Sequence, residues 1–585
     1  MTLDTIDWVI IASYLVLSLV IGLYYTKTAS SSFENYFLGG RNMPWWLAGT
    51  SMVATTFAAD TPLLVTELVI KNGISGNWLW WNGMIGGMLT VFFFARMWRK
   101  ANLITDVELT EIRYSGSVAK FLRGFKAIYI GLLLNAVIIA WVNVALGALL
   151  KIFFNLSDEE VLFWVGAAML LVVLYSSLSG LLGVAVTDLF QFVIAMVGCI
   201  VLAVLVLNSE EIGGIYALKS KLPAGALDFF PKIGEENLTG SLAISGLSFF
   251  SFVAVQWWAS WYPGAEPGGG GYIAQRMMSA RTETDAFKAT LFFQIAHYAF
   301  RPWPWIIVAL CAAVLYPEIP MEEKRLGYVM VMRDFLPSGL RGLLLVAFLA
   351  AYMSTISTQL NWGTSYVMND FYKRFIRPEA SNKDLVFASR IATFMAMVVG
   401  MVVTAYIGSL ESAFKLMISC SAGVGAVLIL RWYWWRINAW SELVATIAPF
   451  LAFWPLSKLE LDDTAYFISL TLCTTAAWLI ATFVTAPESE DVLKKFYQRV
   501  EPQGAWGRVR KSLNLAPAKS ILGELAACWL LSTVLGYAIL FGLGQLVMAE
   551  WLLATLFLGA GLVLWMLISW LLRRVLAKEN KTSSS

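Results

Sequence analysis

The chain has 585 residues, of which 59% are hydrophobic and 14% are charged, and its mean hydropathy is +0.69. Soluble globular domains usually carry about 25% charged residues, so the composition excludes an ordinary water-soluble domain. The net charge of +3 gives no reason to expect nucleic acid as a partner. The apolar residues fall into repeated blocks long enough to cross a bilayer, which takes roughly 20 residues. We therefore predict an all-α integral membrane protein that is surrounded by the lipid bilayer.

Fifteen candidate membrane spans follow one another along the chain. We predict that the first span is retained, because residues 1–7 carry two acidic residues and no basic residue, and no small-residue cleavage motif follows the apolar run. Alternate loops carry most of the lysine and arginine residues, which predicts an outside N-terminus and a cytoplasmic C-terminus in a plasma or inner membrane. The predicted spans are residues 6–26, 44–70, 76–98, 123–154, 159–178, 181–208, 241–280, 286–316, 341–372, 384–408, 412–436, 440–457, 464–486, 521–547 and 550–576.

The second span combines residues that are unusual in the middle of a membrane. Between Ser51 and Pro62 it holds several hydroxyl side chains, the carboxylate Asp60 and a proline. Pro62 cannot donate a backbone hydrogen bond and clashes with the preceding turn, so we expect a break just before it. A broken helix frees carbonyl oxygens, which many transporters use to coordinate sodium near the bilayer midplane. A simple proline kink is the alternative.

The ninth span carries hydroxyl groups at helical spacing. Ala351, Ser354 and Thr355 share one face, and Ser354, Ser357 and Thr358 repeat that spacing about one turn further on. Hydroxyl and carbonyl oxygens are hard ligands that suit a hard cation. The alternative is ordinary polar packing between membrane helices.

Two further spans contain residues that apolar segments usually exclude. Asp188 lies inside the sixth span and must find a cation, a hydrogen-bond donor or a proton. In the seventh span Pro263, Pro267 and the glycines from Gly268 onward cannot remain helical. Such backbone is tolerated only where protein buries it or where it lines a cavity. Interrupted second and seventh spans, five apart, are typical of an inverted repeat with the binding site between the breaks.

Four sequence motifs resemble those of a known family. They are residues 35–41 before the second span, Thr187-Asp188 with Gln191, Gln275-Arg276 with Ser279 and Arg281, and residues 350–355. In their order and spacing the chain is similar to the solute:sodium symporter family, relatives of the sodium/glucose, sodium/iodide and sodium/proline transporters. The resemblance implies a leucine-transporter-type fold. A leading helix at 6–26 would precede a ten-helix core of two inverted five-helix repeats at 44–436, with extra helices and a cytoplasmic tail at 437–585.

The resemblance also implies sodium ligands at the matching positions. The first site would combine carbonyl oxygens with two hydroxyls, from Ala54, Phe57, Ala351, Ser354 and Thr355. A second site, which some members of the family carry, would use Asp188, Ser354, Ser357 and Thr358. The alternative role of Asp188 is a hydrogen bond to Ser354 or Thr355 that helps to shape a single site.

The substrate-binding residues are expected near the two breaks. The predicted set is Thr56, Asp60, Thr61, Asn82, Trp261 and Glu266. Sugar-transporting relatives have polar residues after an aromatic gate, where this chain has Glu266 in a Pro/Gly-rich stretch, so no familiar substrate transfers directly. We favour a sugar or sugar derivative. The aromatic residues around Trp261 would stack on a sugar ring or hold an organic cation, and Arg301 would pair with Glu266 or meet an anionic substrate.

We therefore predict a sodium-coupled symporter that imports a small organic solute by alternating access, with two sodium ions per solute. No organic cofactor and no obligatory protein partner are expected. Proton-coupled uptake of an amino acid, organic cation or organic anion is an alternative, with Asp188 or Glu266 as the proton carrier. A transporter-like membrane sensor is another. We expect no enzymatic activity, because His297 is the one histidine and no nucleophile–base pair or metal motif accompanies the carboxylates.

Overall fold

The computed structural model describes residues 3–233, 246–262, 264–407, 421–515 and 520–583, and within them helices and their connections make up the fold, with two isolated β-bridges. The principal helices are α1 (Thr5–Ala29), α2 (Trp45–Thr55), α3 (Thr61–Asn72), α4 (Ile74–Phe93), α5 (Ala95–Ala101), α6 (Gly116–Phe154), α7 (Asp158–Leu207), α8 (Gly246–Ala259), α9 (Gly271–Ser279), α10 (Glu283–Leu315), α11 (Leu340–Ile376), α12 (Asn382–Tyr406), α13 (Val424–Tyr433), α14 (Ala439–Leu456), α15 (Asp463–Val484), α16 (Glu490–Val500), α17 (Gly507–Ser512), α18 (Leu522–Val547) and α19 (Trp551–Ser583). Shorter helices connect them, among them Phe33–Leu38, Leu109–Arg113, Gly214–Lys221 and Gly327–Phe335.

The longest helix, α7, contains two of the predicted spans. It has 50 residues, which at about 1.5 Å per residue is more than twice the thickness of the bilayer's hydrocarbon core. Gly180 interrupts it with φ 57° and ψ −167°, a conformation that glycine adopts easily and other residues do not. A Cβ atom at Gly180 would lie 2.7 Å from the carbonyl oxygen of Tyr36. The halves before and after Gly180 are each long enough for one span, as predicted for 159–178 and 181–208.

The exact count of fifteen spans is not confirmed. Within the described residues ten helices are long and apolar enough to cross a membrane, or eleven if α4 and α5, bent by 50° at their junction, form one span. The count is lower because α7, which holds two predicted spans on either side of Gly180, is counted once, and because the chain breaks leave α2, α3, α8 and α9 too short. The predicted spans 241–280 and 412–436 also lie partly outside the described residues.

The break in the second predicted span is short. α2 ends at Thr55 and α3 begins at Thr61, so residues 56–60 leave the helical path. Pro62 lies in the first turn of α3, where its missing amide costs no helical hydrogen bond. The proline therefore suits the start of the second half of the span.

The break in the seventh predicted span is longer. α8 ends at Ala259, and α9 begins at Gly271. Pro267 stands in the connecting segment, where Gly268 and Gly269 have φ values of 76° and 77°. These values belong to the left-handed region, which glycine enters without steric penalty. The remaining predicted break residue, Pro263, lies outside the described residues.

The most buried helix and one of the most exposed helices show which part of the protein forms the core and which part faces lipid. α11 is buried along almost its whole length and packs against α1, α6 and α7. In α19 most large apolar side chains before residue 575 are exposed, and Leu552 is 74% exposed. A long exposed apolar face is stable in lipid and not in water. The chain is therefore a multi-pass membrane protein with α11 near its centre.

Candidate functional site

The first break places carbonyl groups of α2 against hydroxyl groups of α11. The Ser354 hydroxyl donates to the Ala54 carbonyl oxygen at 3.0 Å, and the Thr355 hydroxyl donates to the Thr55 carbonyl oxygen at 2.9 Å. Both carbonyls belong to the last turn of α2, where the helix has no further amides to offer them. Side chains of α11 therefore satisfy acceptors that the break leaves open.

This contact brings the predicted first sodium ligands together. The Ala351 carbonyl oxygen accepts the hydroxyls of Ser354 at 3.0 Å and Thr355 at 3.2 Å. Phe57 lies next to them, with its amide donating to the Ala54 carbonyl oxygen at 3.0 Å. A hydroxyl that donates one hydrogen bond keeps its lone pairs, so both hydroxyls can still ligate a cation. The group offers only hard oxygen ligands, which suit a hard cation such as sodium.

The predicted second sodium site contains an arginine. Asp188 accepts the Ser51 hydroxyl at 2.6 Å, and the same carboxylate oxygen lies 3.8 Å from Nη2 of Arg276. That Nη2 also donates to the Thr358 hydroxyl at 2.7 Å, which in turn lies 3.0 Å from the Thr55 hydroxyl. The Asp188 and Arg276 side chains are fully buried, so the guanidinium neutralises a carboxylate that would otherwise be costly.

The other two members of the second set, Ser354 and Ser357, form no hydrogen bond with Asp188. The Ser357 hydroxyl donates to the Ser354 carbonyl oxygen at 3.1 Å, and the Ser354 hydroxyl belongs to the first set. The predicted alternative, in which Asp188 accepts a hydrogen bond from Ser354 or Thr355, is wrong because both hydroxyls donate to backbone carbonyl oxygens and Asp188 accepts Ser51 instead. Within the described residues Oδ1 of Asp188 has no hydrogen-bond partner. Arg276 is absent from the predicted set of Asp188 partners, although a basic residue in a membrane segment indicates that a buried carboxylate lies nearby.

A cavity of about 200 Å³ lies beside the first break. Thr355 lines it, so one residue belongs both to the predicted sodium ligands and to the cavity wall. Aromatic faces with a few polar groups are typical of a small-molecule site. Four of the six predicted substrate-binding residues line this cavity, namely Thr56, Asp60, Thr61 and Asn82. Further lining residues include Trp80, Trp141, Gln256, Trp257, Tyr262, His297, Tyr298, Arg301 and Gln359.

Arg301 fixes a positive charge in the wall of this cavity. Its Nη1 donates to the Val53 carbonyl oxygen at 3.1 Å and to the Thr56 hydroxyl at 3.0 Å. The Thr56 hydroxyl also lies 2.8 Å from Nδ1 of His297, a residue that the sequence analysis did not place in the site. Asp60 lines the same cavity, and among the described residues its Oδ1 has no hydrogen-bond partner. The cavity thus offers a carboxylate and a guanidinium to a bound molecule.

The other two predicted substrate-binding residues lie elsewhere. Trp261 and Glu266 line a separate pocket of about 50 Å³, together with Asp106 and other residues. The segment that connects α8 to α9 reaches both pockets, because Tyr262 lines the larger cavity and Glu266 lines the smaller one. The predicted pairing of Arg301 with Glu266 is wrong for the same reason, because the two side chains line different pockets.

The fold and the site together define a class of protein. Two spans are broken near mid-length, a buried central helix contributes hydroxyl groups to one break, and a small-molecule cavity lies beside that break. Broken helices around a binding site are the arrangement of secondary transporters. The protein is therefore a multi-pass membrane transporter.

A solved structure agrees with this class. The fold matches that of a substrate-bound, outward-open Na⁺-coupled sialic acid symporter with a TM-score of 0.66 at 17% sequence identity. The match covers 83% of this chain and 99% of the other. The all-helical structure thus shares the leucine-transporter-type fold that the sequence predicted.

Sequence comparison identifies the family. The Sodium:solute symporter family matches residues 36–448, and the chain belongs to it. The sodium/glucose cotransporter of Vibrio parahaemolyticus is 23% identical over 522 residues, 84% of this chain and 93% of the relative. The sodium/proline symporter of Escherichia coli (strain K12) is 26% identical over 444 residues, 72% of this chain and 81% of the relative. The family predicted from four motifs is confirmed, and these relatives are transporters and not enzymes; the three-part division of the chain stays a prediction.

Proposed function

We propose that the protein is a sodium-coupled symporter that imports a small polar organic solute by alternating access. The proposal rests mainly on Thr355, which belongs both to the predicted sodium site and to the wall of the large cavity. Its hydroxyl, a predicted sodium ligand, bonds to the Thr55 carbonyl oxygen at the first break and to the carbonyl oxygen of Ala351, another predicted ligand, and the residue also lines the 200 Å³ cavity. A sodium ion bound there contacts the wall of the solute site directly, which is the physical basis of coupling.

The solute class that we propose is a sugar or sugar derivative. The name of the Vibrio parahaemolyticus relative supports this proposal, as do polar side chains of the cavity that can bond to hydroxyl groups, such as Asn82 and Gln359. An amino acid is the second candidate, because Asp60 and Arg301 line the same cavity and match an ammonium and a carboxylate group. The name of the Escherichia coli relative points the same way.

Two sodium ions per solute remain the proposed stoichiometry. The second ion would use the free Oδ1 of Asp188 and would share that carboxylate with Arg276. The competing proposal is one sodium ion, with the guanidinium as the permanent partner of Asp188. A reversal-potential measurement in proteoliposomes distinguishes them, since each sodium ion adds about 2.3 kcal/mol of driving force per 100 mV. We also propose a plasma or inner membrane location with the N-terminus outside and the C-terminus in the cytoplasm.

The test of the proposed function is a thermal-shift screen of the purified protein against a solute library, with and without sodium. We expect sugars or amino acids to raise the unfolding temperature, and sodium to increase that rise, because ligands that bind the native state stabilise it. Uptake of the best ligand into proteoliposomes should then require an inward sodium gradient. Full transport on a proton gradient in sodium-free buffer would favour the proton-coupled alternative.

A further inference from the structure

The 50 Å³ pocket contains a buried carboxyl group with an unused oxygen. Glu266 is 4% exposed, and its Oε2 accepts the amide of Gly264 at 3.1 Å. Its Oε1 has no hydrogen-bond partner, and no basic side chain forms an ion pair with Glu266 among the described residues. An ionised carboxylate in such surroundings is strongly disfavoured, so the group needs a proton or a cation.

A second carboxyl group, Asp106, lies beside it. Asp106 accepts the Tyr366 hydroxyl on one oxygen and the Gly271 amide on the other, the latter at 3.1 Å. A Cβ atom at Gly270 would lie 3.2 Å from Cβ of Glu266 and 3.4 Å from Oδ2 of Asp106. A Cβ atom at Gly271 would lie 2.5 Å from Oε1 of Glu266. The two carboxyl groups therefore approach each other across glycines that leave no side chain between them.

The basic groups of the pocket are already engaged. Lys126 and Arg431 line the pocket, and both form ion pairs with Glu442, the arginine at 2.9 Å. The Tyr114 hydroxyl donates to the other oxygen of Glu442 at 2.6 Å. Arg113, a third buried cation beside Arg431, donates to the backbone carbonyls of Arg431, Trp434 and Trp435. Among the described residues no cationic side chain therefore pairs with Glu266 or Asp106.

We propose that Glu266 and Asp106 form a proton-binding site, in which one proton resides on Oε1 of Glu266 and removes a buried negative charge that no side chain pairs. A proton needs one free oxygen, and one is free here. A sodium ion needs several oxygen ligands, whereas Oε2 of Glu266 and both carboxyl oxygens of Asp106 already accept hydrogen bonds. Tyr272 and Tyr366, on neighbouring helices, are neutral near pH 7 and therefore supply no positive charge to this pair of carboxyl groups.

The position of the pair connects this proton to the transport cycle. Glu266 lies in the unwound segment between α8 and α9, and transporters of this kind alternate their access by moving repeats around their broken helices. Movement of the segment changes the exposure of Glu266, so the site exchanges its proton with water in one conformation and holds it in another. The inference concerns a site separate from the sodium ligands and from the large cavity.

The experiment is infrared difference spectroscopy of the full-length protein in lipid as the pH is changed, in sodium-free buffer and without solute. The protonated carboxyl group of Glu266 should give a C=O stretching band that shifts in heavy water and disappears at high pH. Glu266→Gln should lose this band, and Asp60→Asn, which removes a carboxyl group from the large cavity, should keep it. A spectrum of Glu266→Gln identical to wild type at every pH would overturn the proposal.

Asp106→Asn tests the pair without removing the proton carrier. Loss of the neighbouring negative charge makes ionised Glu266 less unfavourable, so the band should titrate at lower pH than in wild type. An unchanged titration would show that the two groups do not share a site. This measurement also serves if Glu266→Gln does not fold. Thr355→Ala should alter sodium binding and leave the band intact, so failure of the sodium proposal is distinguishable from failure of this one.

Discussion

The two chain breaks use unwound backbone in different ways. The first is five residues long and exposes carbonyl groups that α11 meets with the hydroxyls of Ser354 and Thr355. The second is longer, contains Gly268 and Gly269 in the left-handed region, and carries the buried carboxyl group of Glu266. The first break thus presents neutral oxygens to α11 and places Asp60 at the large cavity, whereas the second buries an acidic group away from that cavity.

The difference shows that the chemistry of a break depends on what its neighbouring helix contributes. Neutral oxygens bind a hard cation without a fixed counter-charge and release it when the helices separate. A buried carboxyl group holds a proton more readily, because its charged form is disfavoured by the same surroundings. One fold can therefore carry two cation sites of different kind, and the following predictions test that distinction.

The largest effect is expected where α13 packs against the second break. A Cβ atom at Gly425 would lie 2.1 Å from the Trp258 carbonyl oxygen and 2.6 Å from Cγ of Pro267. Gly425→Ala should therefore lower the free energy of unfolding by about 3 kcal/mol, measured as a lower unfolding temperature. Gly523→Ala is the matched control, because nothing lies within 4 Å of its added Cβ. Equal unfolding temperatures of the two variants would mean that the segment between α8 and α9 accommodates the added methyl group.

The second prediction concerns the first break. Thr355→Ala removes a hydroxyl from the predicted sodium ligands and should raise the half-saturating sodium concentration about tenfold, as expected for the loss of about 1.4 kcal/mol. Ser365→Ala is the control, because its hydroxyl donates to the Trp362 carbonyl oxygen within the same helix at 2.6 Å. Sodium-induced stabilisation of the purified proteins provides the measurement. A Thr355→Ala variant with wild-type sodium affinity would remove this residue from the site.

The third prediction separates the two pockets. Asp60→Asn should weaken solute binding about tenfold, because its carboxylate lines the large cavity and its loss removes a charged hydrogen-bond acceptor. Glu266→Gln should change solute affinity less than about twofold, since the substitution lies in the other pocket. Titration calorimetry with the solute found in the screen measures both. A larger loss of solute affinity in Glu266→Gln than in Asp60→Asn would show that Glu266 belongs to the substrate site.

The smallest effect is expected in the cooperativity of sodium. Two coupled ions give uptake a Hill coefficient above one, and it should fall towards one in Asp188→Asn or Ser357→Ala. Asp188→Asn also leaves Arg276 without its carboxylate, so Ser357→Ala is the cleaner variant. Sodium titrations of uptake provide the values. A wild-type Hill coefficient of one, together with a reversal potential for a single ion, would establish the one-sodium alternative.

Much of the fold follows from local sequence features. Apolar runs of sufficient length located the spans, and the proline at residue 62 located the first break within a few residues, because its missing amide acts on its own helix. The number of spans was less predictable. A break, a bend or a positive φ at Gly180 decides whether two apolar runs form one helix or two, and such torsions depend on tertiary packing.

The site was predictable where helical periodicity holds. Ser354 and Thr355 lie on a regular helix, so their common face could be inferred from spacing, and the structure brings them to the first break. Trp261 and Glu266 lie on unwound chain, where no period relates sequence distance to direction. Arg276 reaches Asp188 from another helix, a contact that sequence spacing does not contain.

The shared position of Thr355 has a consequence for leakage. A symporter loses its gradient when it carries an ion without a solute, or a solute without an ion. Because Thr355 contacts the Ala351 carbonyl of the predicted sodium site and also lines the proposed solute cavity, either ligand alone would leave part of this shared wall without its bound partner. Partly loaded protein then closes less readily than fully loaded protein, so the geometry favours tight stoichiometry over slippage.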